Sequence, residues 1–275
     1  MLSQLQDLLT EPQIKNIDMD SHERITIHKS ILKNKPLIRD VFIEFYDTCR
    51  KYDENFFSVK GLRVELGAGS SFFKNQYPDI LSTDIEPSDG LDQVVNALKM
   101  PFSDGEVRVL YAINCFHHLP DPRTFFTEAN RVLAEGGGIV IIDPYYGWLA
   151  RWFYRRLFKA EHFNENQVDW KTPTAEHGPM HGANQALSYI VFVRDREQFA
   201  TEFPQFIIVE QRTFLNYIRY VFSGGLNFRQ LAPTFLGPLL RLLEWVFSPL
   251  SGILALHHVI VIKKVQGKRS ASIDS

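Results

Sequence analysis

Four clusters of residues along this chain have types and spacing that suit chemistry: Glu65 to Ser71, Asp84, Asn114 to His118, and Asp143. In the first, Leu62, Val64 and Leu66 alternate toward one side as a strand does, and Gly67-Ala68-Gly69-Ser70-Ser71 follows directly. Glycines there permit positive φ and close backbone approach, so the turn's N–H groups can face a small bound molecule. Glycine turns after strands also arise for purely steric reasons, so this turn needs companions. Asp84 stands seventeen residues after Gly67, at the end of the apolar run that opens at Ile80. A carboxylate there suits a ribose, whose two hydroxyls both donate to it; the alternative is an aspartate that caps its own loop.

These residues must be held at the ends of strands. Ile80 to Asp84, Val107 to Ile113 and Ile139 to Asp143 read as strands. Phe72 to Tyr77 reads as a short helix, and Arg123 to Leu133 as a longer one broken by Gly136-Gly137-Gly138. This alternation implies an α/β, doubly wound, Rossmann-like parallel sheet with ligands at the carboxyl ends of its strands. Ahead of it, residues 1–60 form a helical segment. Leu2, Leu5, Leu8 and Leu9 share one face, and Pro36 opens a second helix through Ile38, Val41, Phe42, Phe45 and Tyr46. That segment either covers the ligand site or packs on the sheet, and packing is the simpler expectation.

Five motifs in order resemble those of class I S-adenosylmethionine-dependent methyltransferases, of the subgroup with small-molecule and quinone methylases. They are Glu65-Leu66-Gly67-Ala68-Gly69; Asp84; Asn96-Ala97 before Met100-Pro101-Phe102; His117-His118-Leu119-Pro120-Asp121-Pro122; and Arg131-Val132-Leu133 before three glycines. The match is good over residues 60–145 and loose elsewhere. The resemblance implies a seven-stranded sheet within a domain spanning 61–265, closed by two antiparallel strands, Phe206 to Phe214 and His258 to Lys264. It implies insertions at 145–194, after strand 5, and at 215–257, between strands 6 and 7; residues 266–275 read as a disordered polar tail.

The same resemblance implies S-adenosylmethionine as cofactor. It places Glu65, Gly67, Ala68 and Gly69 around the methionine part, Asp84 on the ribose, Ile85 on the adenine face, Asn96 and Ala97 at the adenine edge, and Asn114 beneath the sulfonium. Two residues depart from the pattern. Ser71 stands where many relatives have glycine, which is tolerable if its φ is ordinary, and Asn96 replaces a frequent aspartate. A nicotinamide-dependent oxidoreductase would want a third glycine where Phe72 stands, because its helix packs tightly on the strand there. Asp143-Pro144-Tyr145-Tyr146 resembles an adenine-methylating motif but follows the fifth strand rather than the fourth, so nucleic-acid methylation is not expected.

Methyl transfer from a sulfonium is an in-line displacement governed by alignment, and a base is needed mainly when the acceptor is a hydroxyl. Candidates are His177, His181, His117, His118 and Asp143, with His117 and His118 more readily read as pocket wall. His177 and His181 lie four apart in a glycine- and proline-rich loop and resemble a pair of metal ligands; lacking a third, they are not expected to hold a metal. The expected function is methyl transfer to a small-molecule, glycan or lipid-linked acceptor at oxygen. A catalytically inactive cofactor-binding or interaction subunit is the alternative.

At 275 residues and a formal charge of −2, the chain suits one sizeable domain and offers no bulk positive charge for nucleic acid. Cys49 and Cys115 show neither metal nor disulfide spacing and read as free thiols, and residues 1–12 show no secretory pattern, so a cytoplasmic location is expected. Two stretches suggest peripheral contact with the inner membrane surface. Trp148 to Lys159 would place Arg151, Arg155 and Lys159 on one helix face, and Phe235 to Leu256 is apolar but interrupted by Pro238, Arg241, Glu244, Pro249 and Gly252. Prolines and charges favour a short in-plane helix pair over a span. A cap over a soluble substrate or a homodimer interface are the alternatives.

Overall fold

The computed structural model describes residues 8–18, 21–156, 161–172 and 182–266. Helix α1 (His22–Asn34) starts where the Ser21 side chain accepts the Arg24 N–H. It stops at Lys35, because a residue before proline is pushed into extended backbone. Pro36 then opens α2 (Pro36–Phe56), whose stripe of Ile38, Val41, Phe45, Cys49 and Tyr52 lies on one face of a sheet. Leu2 and Leu5 lie outside the described residues, as do 267–275.

Seven strands follow: β1 (Leu62–Leu66), β2 (Ile80–Asp84), β3 (Gln93–Val94), β4 (Val107–Ile113), β5 (Leu133–Pro144), β6 (Phe206–Thr213) and β7 (His257–Lys264). Their order is β3-β2-β1-β4-β5-β7-β6; β1 to β5 run parallel, and β7 is antiparallel to both β5 and β6. The order reverses between β1 and β4, which opens a crevice at their carboxyl ends. Val109, Tyr111, Val140 and Ile142 face α2, while Leu110, Ala112, Ile139 and Ile141 face Phe116, Phe125, Phe126 and Phe192. Burial on both faces explains why these strands read as continuous apolar runs. Fully buried Asp53 pins α2 to the strands. It accepts from Arg63 Nε at 2.7 Å, Arg108 Nε at 2.6 Å and the Tyr111 hydroxyl at 3.1 Å, the set of partners a buried charge requires.

One boundary differs from the sequence reading. The three glycines do not end a helix ahead of a later strand; they lie within β5, which begins at Leu133. A Cβ on Gly138 would stand 2.1 Å from the Ile262 carbonyl oxygen and one on Gly137 2.4 Å from that of Arg108. Close approach of neighbouring strands selects glycine here.

The other α-helices of four residues or more among the described residues are α3 (Phe73–Gln76), α4 (Pro122–Val132), α5 (Trp148–Arg156), α6 (Arg196–Glu202), α7 (Tyr217–Ser223), α8 (Gly237–Val246) and α9 (Ser251–Leu254). The apolar stretch from Phe235 to Leu256 is thus two short helices, α8 and α9, with a turn at Pro249 between them, and among the described residues no helix is long and apolar enough to cross a membrane.

Candidate active site

At the end of β1, Gly67 and Gly69 take φ of 64° and 45°. A Cβ on Gly67 would fall 2.3 Å from Cys115 Sγ, so glycine is obligatory on steric grounds as well. Ser71 is not among the residues with positive φ, and its departure from the family pattern is harmless. The turn is stapled from above by α2, where the Tyr46 hydroxyl accepts the Phe72 N–H at 3.0 Å and lies 3.2 Å from Ser71 Oγ. Asp84 closes the cradle: its Oδ2 accepts the Gly69 N–H at 2.7 Å and its Oδ1 the Glu86 N–H at 3.0 Å. Each oxygen keeps lone-pair capacity for a further donor. Ile85 beside it is exposed to the cavity.

Glu65 lies beneath the turn, fully buried, with Oε2 lacking a hydrogen-bond partner among the described residues. Burial, reinforced by Asp84 and opposed by Ser71 and Ser82, pushes its carboxyl up to about 7. Asn114 takes φ of 50° at the end of β4, a conformation asparagine tolerates better than most residues, and donates its N–H to the Ile142 carbonyl at 2.7 Å. It lines the cavity. Asn96 and Ala97 do not: they follow the edge strand β3, and Asn96 Oδ1 accepts the Leu98 N–H at 2.9 Å.

From this cradle a cavity of about 290 Å³ runs on beneath α1 and α7. Its inner end is polar. His117 is buried on a single turn after β4, with Nδ1 2.7 Å from Asp143 Oδ1 and Nε2 3.2 Å from Glu161 Oε2. Gln185 Nε2 donates to the same Glu161 oxygen at 2.9 Å. Burial disfavours charge on His117, yet the two carboxylates override it and hold the imidazole protonated up to about 10. Glu161 has the same burial against it, but the His117 hydrogen bond and the nearby His118 hold its carboxyl down to about 2. The opposite walls are His28, Phe42, Tyr154, Tyr220, Leu226 and His257. Burial lowers His257 to about 3, so that ring is neutral. Arg24 ties the roof together, NH2 donating to Asn227 Oδ1 at 2.7 Å.

The structure therefore brings Gly67, Ala68, Gly69, Asp84, Ile85, Asn114 and His118 into one cavity. It corrects Asp143, which is wholly buried behind His117 and does not line the cavity, so it acts on that ring and not as a base touching an acceptor. His177 and His181 lie outside the described residues. The N-terminal segment does both things considered for it: α2 packs on the sheet, and α1 roofs the cavity through Arg24, Ile25 and His28. Sequence reasoning missed Glu161, Gln185, Tyr154, Tyr220 and His257. No spacing links them, because they come from two separate insertions and the start of β7.

Residues 66–141 match a family model described as a methyltransferase domain. A probable tocopherol O-methyltransferase, chloroplastic, of Oryza sativa subsp. japonica is 35% identical over 69 residues, 25% of this chain and 17% of that protein. The tocopherol O-methyltransferase of Arabidopsis thaliana is 35% identical over a stretch of the same length, 18% of its own. The chain thus spans under a fifth of the curated relatives it matches. Among solved structures, geranyl diphosphate C-methyltransferase from Streptomyces coelicolor A3(2) is 12% identical, covering 80% of this chain and 77% of that one at a TM-score of 0.42. Phosphoethanolamine N-methyltransferase 2 of Haemonchus contortus is 11% identical, covering 92% and 59% at 0.47. The family match thus spans the cradle from the end of β1 into β5, and it is this stretch that resembles a methyltransferase domain.

Proposed function

We propose that this chain is an active methyltransferase that places a methyl group on an oxygen of a lipophilic or lipid-linked small molecule. The observation that carries the reading is the single cavity joining a cofactor cradle to a polar end faced by aromatic walls. S-adenosylmethionine fits the cradle. Asp84 has acceptor capacity left for the ribose hydroxyls, Ile85 offers an apolar face for adenine, and the positive-φ glycines clear space beside Cys115. When bound, the cofactor supplies an electrophilic methyl on a sulfonium. The chain's own residues do the rest: Asn114 and the Gly67–Ser71 turn fix the donor's place, and α1 and α7 exclude water from above. Glu161, ionised at neutral pH, accepts a hydrogen bond from an incoming hydroxyl and so orients its oxygen.

The lipophilic character is supported by the outer surface next to the acceptor walls. Phe235 and Trp245 are 79% and 70% exposed, and Leu239, Leu242, Val246, Leu250 and Ile253 are exposed along the same helix pair. The charges that interrupt this stretch are turned away: Glu244 is buried against Arg219 Nε at 2.7 Å, and Arg241 reaches Asp40 at 2.9 Å. An apolar ridge of this kind, rich in Trp and Phe on in-plane helices, suits the headgroup boundary of a membrane. Of the basic face expected on α5, Arg151 and Arg155 both pair with Glu165, at 3.0 and 3.1 Å, and so contribute little, while Lys159 lies outside the described residues. Incubating the protein with labelled S-adenosylmethionine and fractionated lipid extract tests the reading. Label should enter the lipid fraction. Cofactor binding with label only in polar products would overturn the lipophilic acceptor, and no cofactor binding would overturn the whole assignment.

A further inference from the structure

We propose that His117, His118 and Glu161 form a binding site for a divalent transition cation of the manganese-to-zinc series, at the acceptor end of the cavity. Each residue offers one ligand atom, and the three atoms lie within 4.8 Å of one another. Two imidazoles and a carboxylate suit those cations better than magnesium, which prefers oxygen ligands and keeps its water. The 3.2 Å between His117 Nε2 and Glu161 Oε2 is the edge expected between two ligands each about 2.1 Å from one ion.

The surroundings are those of a metal site. Asp143, buried and 2.7 Å from His117 Nδ1, is the carboxylate that fixes a ligating imidazole by its other nitrogen. Gln185 Nε2 donates at 2.9 Å to Glu161 Oε2, the same oxygen that faces His117 Nε2, and so holds that carboxylate in place. Without a cation, both His117 nitrogens face carboxylate oxygens, and a doubly protonated ring must be buried between them. With one, Nδ1–H donates to Asp143 and Nε2 coordinates, so the charge is carried by the ion. All three ligands line the cavity, and three protein ligands leave a coordination position open toward it. This cluster is distinct from the His177 and His181 pair considered in the sequence.

The consequence for catalysis rests on the methyltransferase reading. A hydroxyl oxygen on the open position passes its proton to water at the mouth of the cavity, and its electron pair then bonds the methyl carbon. The carbon–sulfur bond breaks with its pair left on sulfur, giving a neutral thioether and a methyl ether.

Titrating the chelator-treated full chain with cobalt(II) and zinc(II), by calorimetry and by the visible spectrum of cobalt, tests the site. One equivalent of each should bind, displacing one another, with millimolar magnesium failing to compete. Glu161→Gln and His118→Ala should each weaken binding by roughly tenfold or more, while the S-adenosylmethionine dissociation constant stays unchanged as the check on folding. Absence of saturable cobalt binding to the wild type, or wild-type affinity retained in both variants, overturns the site. Cofactor binding without metal binding leaves the methyltransferase reading standing, and metal binding without cofactor binding does the reverse.

Discussion

The cradle and the acceptor chamber share one cavity but are built in opposite ways. Cradle residues sit at the ends of three strands, β1, β2 and β4, within about fifty consecutive positions, and backbone groups make most of its shape: Gly67 and Gly69 by their φ, Gly69 N–H and Glu86 N–H by holding Asp84. The chamber is made by side chains from α1, α2, α7, β7 and the insertion after β5, including His28, Tyr220, His257, Glu161 and Gln185. A backbone-made site tolerates little change because sterics fix it. A chamber made by side chains on insertions can be re-lined without disturbing the sheet, which is how one fold serves many acceptors.

The comparison breaks most directly at Gly67. Gly67→Ala drives a Cβ into Cys115 Sγ and strains a positive φ, so calorimetry should find S-adenosylmethionine affinity reduced by more than about a hundredfold. Adding Cys115→Ala should restore part of it; full affinity in the single variant would show that the turn is not the cradle.

Next in size is a pH effect at Glu65. Its folded carboxyl titrates at about 7 against an ordinary 4.5, so between those values the unfolded chain loses the proton while the fold keeps it. Fewer protons on the unfolded chain means stability falls as pH rises, by about 3 kcal/mol across that window, and levels off above it. Glu65→Gln should flatten this slope in urea titrations run from pH 5 to about 8. An unchanged slope would place the burden elsewhere.

Asp84→Ala should cost about 1.5–3 kcal/mol of cofactor binding through lost charge-assisted hydrogen bonds to the ribose, with thermal stability little changed. Calorimetry on the folded variant decides it, and an unaltered dissociation constant would remove Asp84 from the ribose site.

The smallest effects separate ridge from basic face. Phe235→Ser with Trp245→Ser should abolish flotation with vesicles while leaving cofactor affinity intact, whereas Arg151→Gln with Arg155→Gln should leave flotation unchanged, because those guanidinium groups already pair with Glu165. A concentration-dependent dimer that dissociates in the Phe235 and Trp245 variant would instead make the ridge a subunit interface.

The sequence by itself determined most of the strands and the glycine turn, though not the two-residue edge strand β3. Apolar runs ending in Gly67, Asp84 and Asn114 report on local backbone: period-two alternation, positive φ and a polar residue at a strand's end are written within a few neighbouring positions. It also indicated the broken helix pair after β6, since Pro249 acts on its own backbone. Tertiary structure alone decided the chamber. Glu161, forty-four residues from His117, and Tyr220 and His257, still farther on, meet only because β5, β7 and the insertions return to the same end of the sheet. The same long-range packing turned Asp143 from an expected base into the support behind His117, and made three glycines part of a strand because β7 and Arg108 crowd them. Contacts between distant segments depend on how elements dock, and no local pattern records that.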